Sequence, residues 1–160
     1  MPILKGKGYF IYTDRPDPGR DSTWKPRWKI DLMIEGEELE EAKRLGMTIK
    51  DGSKTIPGPF VSLWRYVEKT NGEPNDKPDT VDSQGNPWPP NKIIGGGSEV
   101  HVRFSHFQGT QTKKFYNDLQ KVMVVDLVEY EPKDLEPVEG GFVLSDDEVL
   151  TGNEEEATAF

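Results

Sequence analysis

The sequence contains no cysteine, which excludes disulfide bonds and thiolate metal sites and is typical of proteins in a reducing compartment. It has only two histidines, His101 and His106. Because they are five positions apart, they lie on opposite faces of one strand, where they cannot share a metal ion. No stretch approaches the roughly 18 consecutive apolar residues of a transmembrane helix, and the start, MPILKGKGYFIY, lacks the apolar run of a signal peptide. We therefore expect a soluble intracellular protein with no membrane contact, no metal and no cofactor.

Hydrophobic residues are scarce as well, at 33%, while 31% of the 160 residues are charged. The hydrophobic core must therefore be small, and the length suits one ordinary domain with an appendage. The 13 prolines and 16 glycines disfavour long helices and favour short strands joined by turns.

Positive charge is almost missing from one end of the chain. Residues 1–128 contain 19 Lys and Arg against 18 Asp and Glu, which gives a formal charge of +1. Residues 129–160 contain 1 against 11, which gives −10. Acidic blocks of this kind are usually disordered and often serve as interaction tails. We predict a folded domain over residues 1–132 and a disordered, flexible acidic tail over residues 133–160.

Alternating and β-branched residues predict a mostly β domain. The clearest alternation is RWKIDLMI, residues 27–34, in which one face carries Trp28, Ile30, Leu32 and Ile34. One short helix is expected in GEELEEAKRLG, residues 36–46, with acidic residues in its first turn and basic residues in its last. The other predicted strands are residues 8–13, 59–68 and 99–107, a short segment near Val81, and residues 122–128, before which the pattern from residue 115 is ambiguous.

Five or so strands with one short helix indicate an all-β fold, a small antiparallel barrel. The five-stranded oligonucleotide-binding (OB) barrel is the commonest fold of this kind, and it is the fold that we predict.

Motifs for catalysis are weak. The glycine run in IIGGGSEV, residues 93–100, lacks the Gly-Lys-Ser/Thr of a phosphate loop and precedes a strand, so a bulged or flexible start of a strand is the favoured interpretation. The prolines in DRPDPGRD spoil the geometry of a calcium loop. Glu131 and Lys133 are similar to the end of a nuclease signature, but Pro132 separates them and no partner aspartate is placed. We predict that the chain is not an enzyme.

The aromatic residues of PFVSLWRYVE, residues 59–68, carry more information. Alternation puts aliphatic residues on one face, Val61, Leu63 and Val67, and the other face carries Phe60, Ser62, Trp64 and Tyr66. Either face can point into a barrel. Exposed rings beside cations would suit single-stranded nucleic acid, because bases stack on the rings while cations follow the phosphates. An outward aromatic face is favoured by basic and aromatic residues expected on the outer faces of neighbouring strands, Arg27, Lys29, Arg103 and Phe107.

Several segments together resemble the single-stranded DNA-binding protein of short-tailed, T-seven-like bacteriophages. The most specific are VDSQGNP, residues 81–87, and IIGGGSEVHVRFS, which follows at a similar spacing. KIDLMI before the helix, LQKVMVVDLVEY at residues 119–130 and an acidic tail ending in Phe160 also match. The resemblance covers most of the chain, although the connecting segments of this chain are shorter than those of the family.

The resemblance implies an OB barrel whose helix lies between the second and third strands. It also implies a protein of phage DNA replication and recombination in the cytoplasm of the infected bacterium, which coats single-stranded DNA, promotes strand annealing and forms homodimers. The family's DNA face includes alternating basic residues after the glycine run, and here histidine stands at one of these positions. The predicted DNA-binding residues are therefore Arg27, Lys29, Phe60, Trp64, Tyr66, His101, Arg103 and Phe107.

The resemblance gives the tail a role as well, the recruitment of the phage DNA polymerase and helicase-primase. The tail residues expected to bind these partners are Asp146, Asp147, Glu148, Glu154, Glu155, Glu156 and Phe160. A flexible coil of this length spans about 30 Å, against a radius of gyration of about 14 Å for the folded domain. The tail can therefore reach back over the domain, with its carboxylates in place of phosphates and Phe160 in place of a base.

Other functions remain open from the residues alone. An OB-fold adaptor of the replisome, which binds protein and has little affinity for DNA, is favoured by the near-neutral charge of the folded domain. A nuclease is indicated only by the pair Glu131 and Lys133. The tail can also be a plain solubilising segment in which Phe160 has no role.

Overall fold

The computed structural model describes residues 1–17, 23, 25–90, 92–129, 135 and 137–148. The chain forms two compact units, Met1–Tyr130 and Glu131–Phe160. Among the described residues, the helix and strands lie in the first unit, in the order β1 (Ile3–Asp17), β2 (Arg27–Met33), α1 (Glu37–Arg44), β3 (Phe60–Tyr66), β4 (Asp79–Asp82), β5 (Ser98–Gln108) and β6 (Phe115–Asp126).

Five of these strands close into a barrel. Their order is β3-β2-β1-β5-β6, and β3 returns to β6 through a parallel bridge between Trp64 and Asp118. The short β4 pairs in parallel with β6 farther along, where Val81 lies opposite Met123. A five-stranded barrel with its helix between the second and third strands is the OB fold that the sequence and the resemblance predict, and this expectation is confirmed.

Alternation along the strands builds the core. Trp28, Ile30 and Leu32 of β2 are buried, as the pattern of residues 27–34 predicts. The inward residues of the other strands meet them inside the barrel, with Leu4, Val61, Leu63, Val100, Val102, Phe104, Leu119, Val122 and Val124 all buried. Burial of each such side chain stabilises the fold by about 1.5–3 kcal/mol. The inward faces therefore stabilise the barrel, and the outward faces are available for other contacts.

Helix α1 packs against this core through Leu39 and Ala42, and Ala42 is fully buried. The helix ends at Arg44, and Gly46, which follows the C-cap residue Leu45, has a φ of 73°. The N–H of Gly46 donates to the carbonyl of Lys43 and the N–H of Met47 to that of Ala42, both at 3.0 Å. This pair of bonds is a Schellman cap, and a glycine suits its left-handed position. Within the described residues, no helix is long and apolar enough to cross a membrane.

The glycine run before β5 lies against the backbone that follows β6. A Cβ atom on Gly95 would be 2.3 Å from the carbonyl oxygen of Val128, so no larger residue fits there. The hydroxyl of Ser98 donates to the Gly95 carbonyl at 2.7 Å and accepts from the Val128 N–H at 2.9 Å. The glycines at the start of β5 therefore serve a close backbone approach.

Candidate nucleic-acid interface

The outer face of β3 carries the aromatic residues. Val61 and Leu63 are buried, whereas Trp64 and Tyr66 are 37% and 40% exposed. Of the two arrangements that alternation allows, the structure has the aliphatic residues inward and the aromatic row outward. Phe60 shares this face at the start of the strand, with the Nζ of Lys50 5.8 Å from the centroid of its ring.

Basic residues of β2 lie directly beside these rings. Arg27 pairs with Tyr66 and Lys29 pairs with Trp64, and residues opposite each other in an antiparallel pair point to the same face. The guanidinium carbon of Arg27 lies 4.8 Å from the centroid of Tyr66 and 5.5 Å from that of Trp64, which are cation–π distances. The structure thus brings together on one surface the predicted residues Arg27, Lys29, Phe60, Trp64 and Tyr66.

Strand β1 extends this surface with a residue that the sequence analysis missed. Tyr12 pairs with Lys29, so that Tyr12, Lys29 and Trp64 form a row across three strands. The register shifts by one residue between Tyr9 and Tyr12, and Phe10 in this bulge has a φ of 49°. Because the bulge interrupts the alternation of GYFIYT, the sequence pattern does not show which face Tyr12 occupies.

The hairpin of β5 and β6 continues beyond the barrel. β5 pairs with β1 only as far as Arg103, whereas its pairing with β6 continues to Gln108. We call residues 106–117 of this hairpin the β-arm. Two pairs of rings stack across it, with centroids 5.7 Å apart for Phe107 and Tyr116 and 4.8 Å apart for His106 and Phe115.

A groove of about 360 Å³ lies between the outer face of β3 and the β-arm. Trp64 and Tyr66 line one side, and the β-arm contributes Phe107, Phe115 and Tyr116. All five rings are at least 37% exposed. The predicted residue Phe107 therefore lines the same groove as Trp64 and Tyr66 of β3, and Phe115 and Tyr116 are further candidates. Sequence analysis missed the last two because the pattern at residues 115–121 was ambiguous.

The side chain of Arg65, next to Trp64, forms hydrogen bonds with Asp118 and Asp76. Its Nε and Nη2 donate to the two carboxylate oxygens of Asp118 at 3.1 and 2.8 Å, and its Nη1 donates to the carbonyl of Asp76 at 3.0 Å. These hydrogen bonds to Asp118 raise the pKa of Arg65. A two-point guanidinium–carboxylate pair is rigid, so this pair ties β3 to β6 beside the groove.

The structure places His101 and Arg103 on a different surface. His101 pairs with Lys5 of β1, and Arg103 pairs with Lys121 of β6. β6 separates β5 from β3 on one side of the barrel, and β1 and β2 separate them on the other. The expectation that Arg103 and Trp64 lie on neighbouring strands was therefore wrong. We call this second basic patch, Lys5, His101, Arg103 and Lys121, the β5 surface.

In the second unit, the described residues include part of the predicted tail site. Asp146, Asp147 and Glu148 are exposed. They follow Ser145, whose hydroxyl donates to a carboxylate oxygen of Glu148 and whose carbonyl accepts the Glu148 N–H at 2.9 Å. The remaining predicted tail residues lie outside the described residues, namely Glu154, Glu155, Glu156 and Phe160. Over the part of the chain that is described, no three side chains of the metal-binding types cluster together.

Together, the barrel and the groove define an OB-fold protein with an open surface of interleaved rings and cations. No protein-family model matches the sequence, and no curated protein matches it. Solved structures do share the fold. The crystal structure of gp2.5, a single-stranded DNA-binding protein encoded by bacteriophage T7, is 18% identical with a TM-score of 0.50, over 90% of this chain and 99% of that chain.

The single-stranded DNA-binding protein of bacteriophage Enc34 is similar as well. Its structure in complex with single-stranded DNA has a TM-score of 0.53 at 16% identity, over 79% of this chain and 85% of that chain. A second structure of the Enc34 protein has a TM-score of 0.50 at 16% identity, over 90% of this chain and 86% of that chain. The chain therefore has the fold of the phage proteins that the sequence resembles.

Proposed function

We propose that the chain is a sequence-independent single-stranded DNA-binding protein without catalytic activity. The observation that carries this proposal is the groove, in which rings on β3 and rings on the β-arm flank a path beside Arg27 and Lys29. Stacking of a base on an exposed ring contributes about 1–3 kcal/mol and does not depend on which base it is. The gp2.5 and Enc34 proteins, which have the same fold, are named as single-stranded DNA-binding proteins.

Single strands are the expected form of the nucleic acid, because stacking on the rings requires bases that are splayed out of a duplex. Only a few cations flank the groove, so the electrostatic part of the affinity is modest. With three or four phosphate contacts, the logarithm of the affinity falls with the logarithm of the salt concentration at a slope of about −2 to −3.

The wider role that we propose is in phage DNA replication and recombination, in the cytoplasm of the infected bacterium. There the protein coats single strands, promotes their annealing and acts as a homodimer. Its acidic tail, with Asp146, Asp147, Glu148, Glu154, Glu155, Glu156 and Phe160, recruits the DNA polymerase and the helicase-primase. The support for this wider role is the resemblance of the sequence together with the shared fold.

Tryptophan fluorescence tests DNA binding directly. Trp64 lines the groove and is 37% exposed, whereas Trp28 is only 6% exposed in the core. Titration with oligothymidylate is expected to quench the emission, and Trp64→Phe is expected to show less quenching than the wild type while it still binds. Tighter binding of a duplex than of a single strand, or binding that does not respond to salt, contradicts the proposal.

The second candidate function is an OB-fold adaptor of the replisome that binds protein and has little affinity for DNA. The observation in its favour is the charge of residues 1–128, which is only +1. DNA-coating domains are usually more basic. The same titration separates the two functions, because an adaptor leaves the emission unchanged at every oligonucleotide concentration.

A further inference from the structure

A carboxylate lies in the middle of the candidate interface. Asp31 of β2 points to the same face as Lys29, yet only 5% of its surface is exposed. Burial of a carboxylate is unfavourable unless partners replace its water. An anion on a surface that is to meet phosphates also repels them. The contacts of Asp31 must therefore offset both its burial and its negative charge.

The contacts of Asp31 connect it to two lysines. One carboxylate oxygen lies 3.4 Å from the Nζ of Lys29. The other accepts the hydroxyl of Ser62, on β3, at 2.6 Å. The oxygen of Ser62 in turn accepts a hydrogen bond from the Nζ of Lys50 at 3.1 Å. The hydroxyl has one hydrogen, which it gives to Asp31, and a lone pair, which receives Lys50. Lys29, Asp31, Ser62 and Lys50 therefore form one chain of contacts.

These contacts lie between Phe60 and Trp64 on the outer face of β2 and β3. Asp31 pairs with Ser62, while the neighbouring pairs on the same face are Lys29 with Trp64 and Met33 with Phe60. Lys50 lines the groove together with Ser62 and Trp64. The two ammonium groups thus sit on either side of one buried anion, next to the rings on which bases are proposed to stack.

We propose that Asp31 is a positioning residue, which holds Lys29 and Lys50 in the orientation that contacts the phosphates of a bound single strand. This inference rests on the proposed function. Each ammonium has three N–H donors, and each uses one of them on Asp31 or Ser62, so the others remain for phosphates. A free lysine loses rotamer freedom when it binds, and a lysine that is already held loses less. Two lysines and one aspartate still carry a net charge of +1.

The proposal predicts a result opposite in sign to simple charge counting. Asp31→Asn keeps the size of the side chain and removes a negative charge from the interface. If Asp31 positions the lysines, this variant binds oligothymidylate about 3- to 10-fold more weakly, and its salt slope becomes shallower by about one phosphate contact. If Asp31 only opposes phosphates, the variant binds more tightly, with a steeper slope.

Asp126→Asn is the matched control, because Asp126 is exposed on β6 and its loss changes the net charge by the same amount. Its affinity is expected to equal that of the wild type or to exceed it slightly. A second comparison uses a Lys29→Gln, Lys50→Gln background. There Asp31→Asn is expected to have no further effect on affinity, since the residues through which it acts are gone.

Ser62→Ala provides an independent test, and it applies even if Asp31→Asn fails to fold. It changes no charge and removes the hydroxyl that donates to Asp31 and links it to Lys50, while Lys29 keeps its contact with Asp31. We therefore expect a loss of about 2- to 3-fold, smaller than that of Asp31→Asn. Thermal unfolding checks that each variant is folded. Affinity and salt slope unchanged in Ser62→Ala, binding by Asp31→Asn as tight as by Asp126→Asn, or a loss that persists without the two lysines each overturn the inference. Failure of the wild type to bind oligothymidylate overturns the proposed function instead.

Discussion

The guanidinium of Arg27 lies over the ring of Tyr66, with its carbon 4.8 Å from the ring centroid. The two residues face each other across β2 and β3, and Trp64 lies within reach of the same guanidinium at 5.5 Å. Cations and rings are therefore interleaved on one surface rather than segregated into two. A DNA strand bound on this surface would meet phosphate sites beside stacking sites, and the two contributions can be separated experimentally by their response to salt.

The first prediction concerns stacking on Trp64. Trp64→Ala removes a ring but no charge. The free energy of binding to oligothymidylate should therefore become less favourable by about 1–3 kcal/mol, while the salt slope stays unchanged. Because the ring is 37% exposed and outside the core, the midpoint of thermal unfolding should change little. Fluorescence anisotropy of a labelled oligonucleotide at several salt concentrations measures both quantities.

Tyr116 on the β-arm provides the control for the two-sided groove. If one base is held between the arm and β3, the losses in Trp64→Ala and Tyr116→Ala are coupled, and the double variant loses less than their sum. Losses that simply add would mean that the two rings stack on different bases. Unfolding of Trp64→Ala would contradict the placement of this ring outside the core.

The second prediction separates the two basic surfaces by oligonucleotide length. Arg27→Ala should weaken binding of every oligonucleotide and flatten the salt slope, since Arg27 lies against Trp64 and Tyr66, two rings that line the groove. Arg103→Ala should weaken binding only when the strand is long enough to reach the β5 surface as well. OB folds cover about 4–16 nucleotides, so a series of oligothymidylates across that range is the appropriate measurement. An equal loss for Arg103→Ala at the shortest length would place Arg103 at the groove.

The inward half of this fold could be predicted from the sequence, because burial imposes a strict period. Ile30 and Leu32 in β2 and Val61 and Leu63 in β3 alternate without interruption, and all four are buried. The same alternation puts Leu63 and Trp64 on opposite faces of β3. It could not decide between inside and outside for β3, since aliphatic and aromatic faces are both apolar enough to fill a barrel.

What the sequence could not provide was the arrangement of strands around the barrel. Arg103 and Trp64 each lie on an outward face, but β6 intervenes between their strands. Tyr12 was hidden by the bulge at Phe10, and Phe115 and Tyr116 lie in a part of β6 that leaves the core. The position of each of these residues depends on which strands pair or on a local irregularity of a strand. Neither can be predicted from the alternation of apolar and polar residues.

The third prediction concerns the turn after β4 and its dependence on pH. The carboxylate of Asp82 accepts the side-chain amide and the backbone N–H of Asn86 and the N–H of Gln84, each at 2.9 Å. These bonds, those from Asn86 above all, hold the pKa of Asp82 below its ordinary value of 3.8. Since the folded pKa is the lower one, the stabilisation is complete above the ordinary value and is lost as the pH falls through the folded pKa.

Asp82→Asn should therefore unfold at a lower temperature than the wild type at neutral pH. This difference should shrink as the pH is lowered from neutral through the ordinary value of 3.8 to the lower folded pKa, where the wild-type carboxylate takes up a proton. Comparison of the two proteins at each pH removes the effect of the other carboxylates, which they share. A difference that stays constant over this range would mean that the charge of Asp82 does not stabilise the turn.

The last prediction concerns the acidic tail. Deletion of residues 145–160 removes six carboxylate side chains and no Lys or Arg, so the formal charge rises from −9 to −3. A tail that competes with DNA for a cationic groove lowers the apparent affinity by the fraction of time that it occupies the groove. The truncated protein should thus bind oligothymidylate several-fold more tightly, most visibly at low salt, where the charges are least screened. It should also lose binding to a replication polymerase or helicase.

Phe160→Ala separates the ring from the charge of the tail, because it leaves every side-chain charge in place. If the ring anchors a partner, this variant should lose affinity for the polymerase or helicase, measured by calorimetry, while its affinity for DNA rises only slightly. The full deletion and Phe160→Ala would then differ mainly in DNA binding, since the carboxylates are the part of the tail that we expect to compete with phosphates. Partner binding that is equal in the wild type and in Phe160→Ala would instead assign recruitment to the carboxylates alone, and an unchanged DNA affinity in the truncated protein would reduce the tail to a solubilising segment.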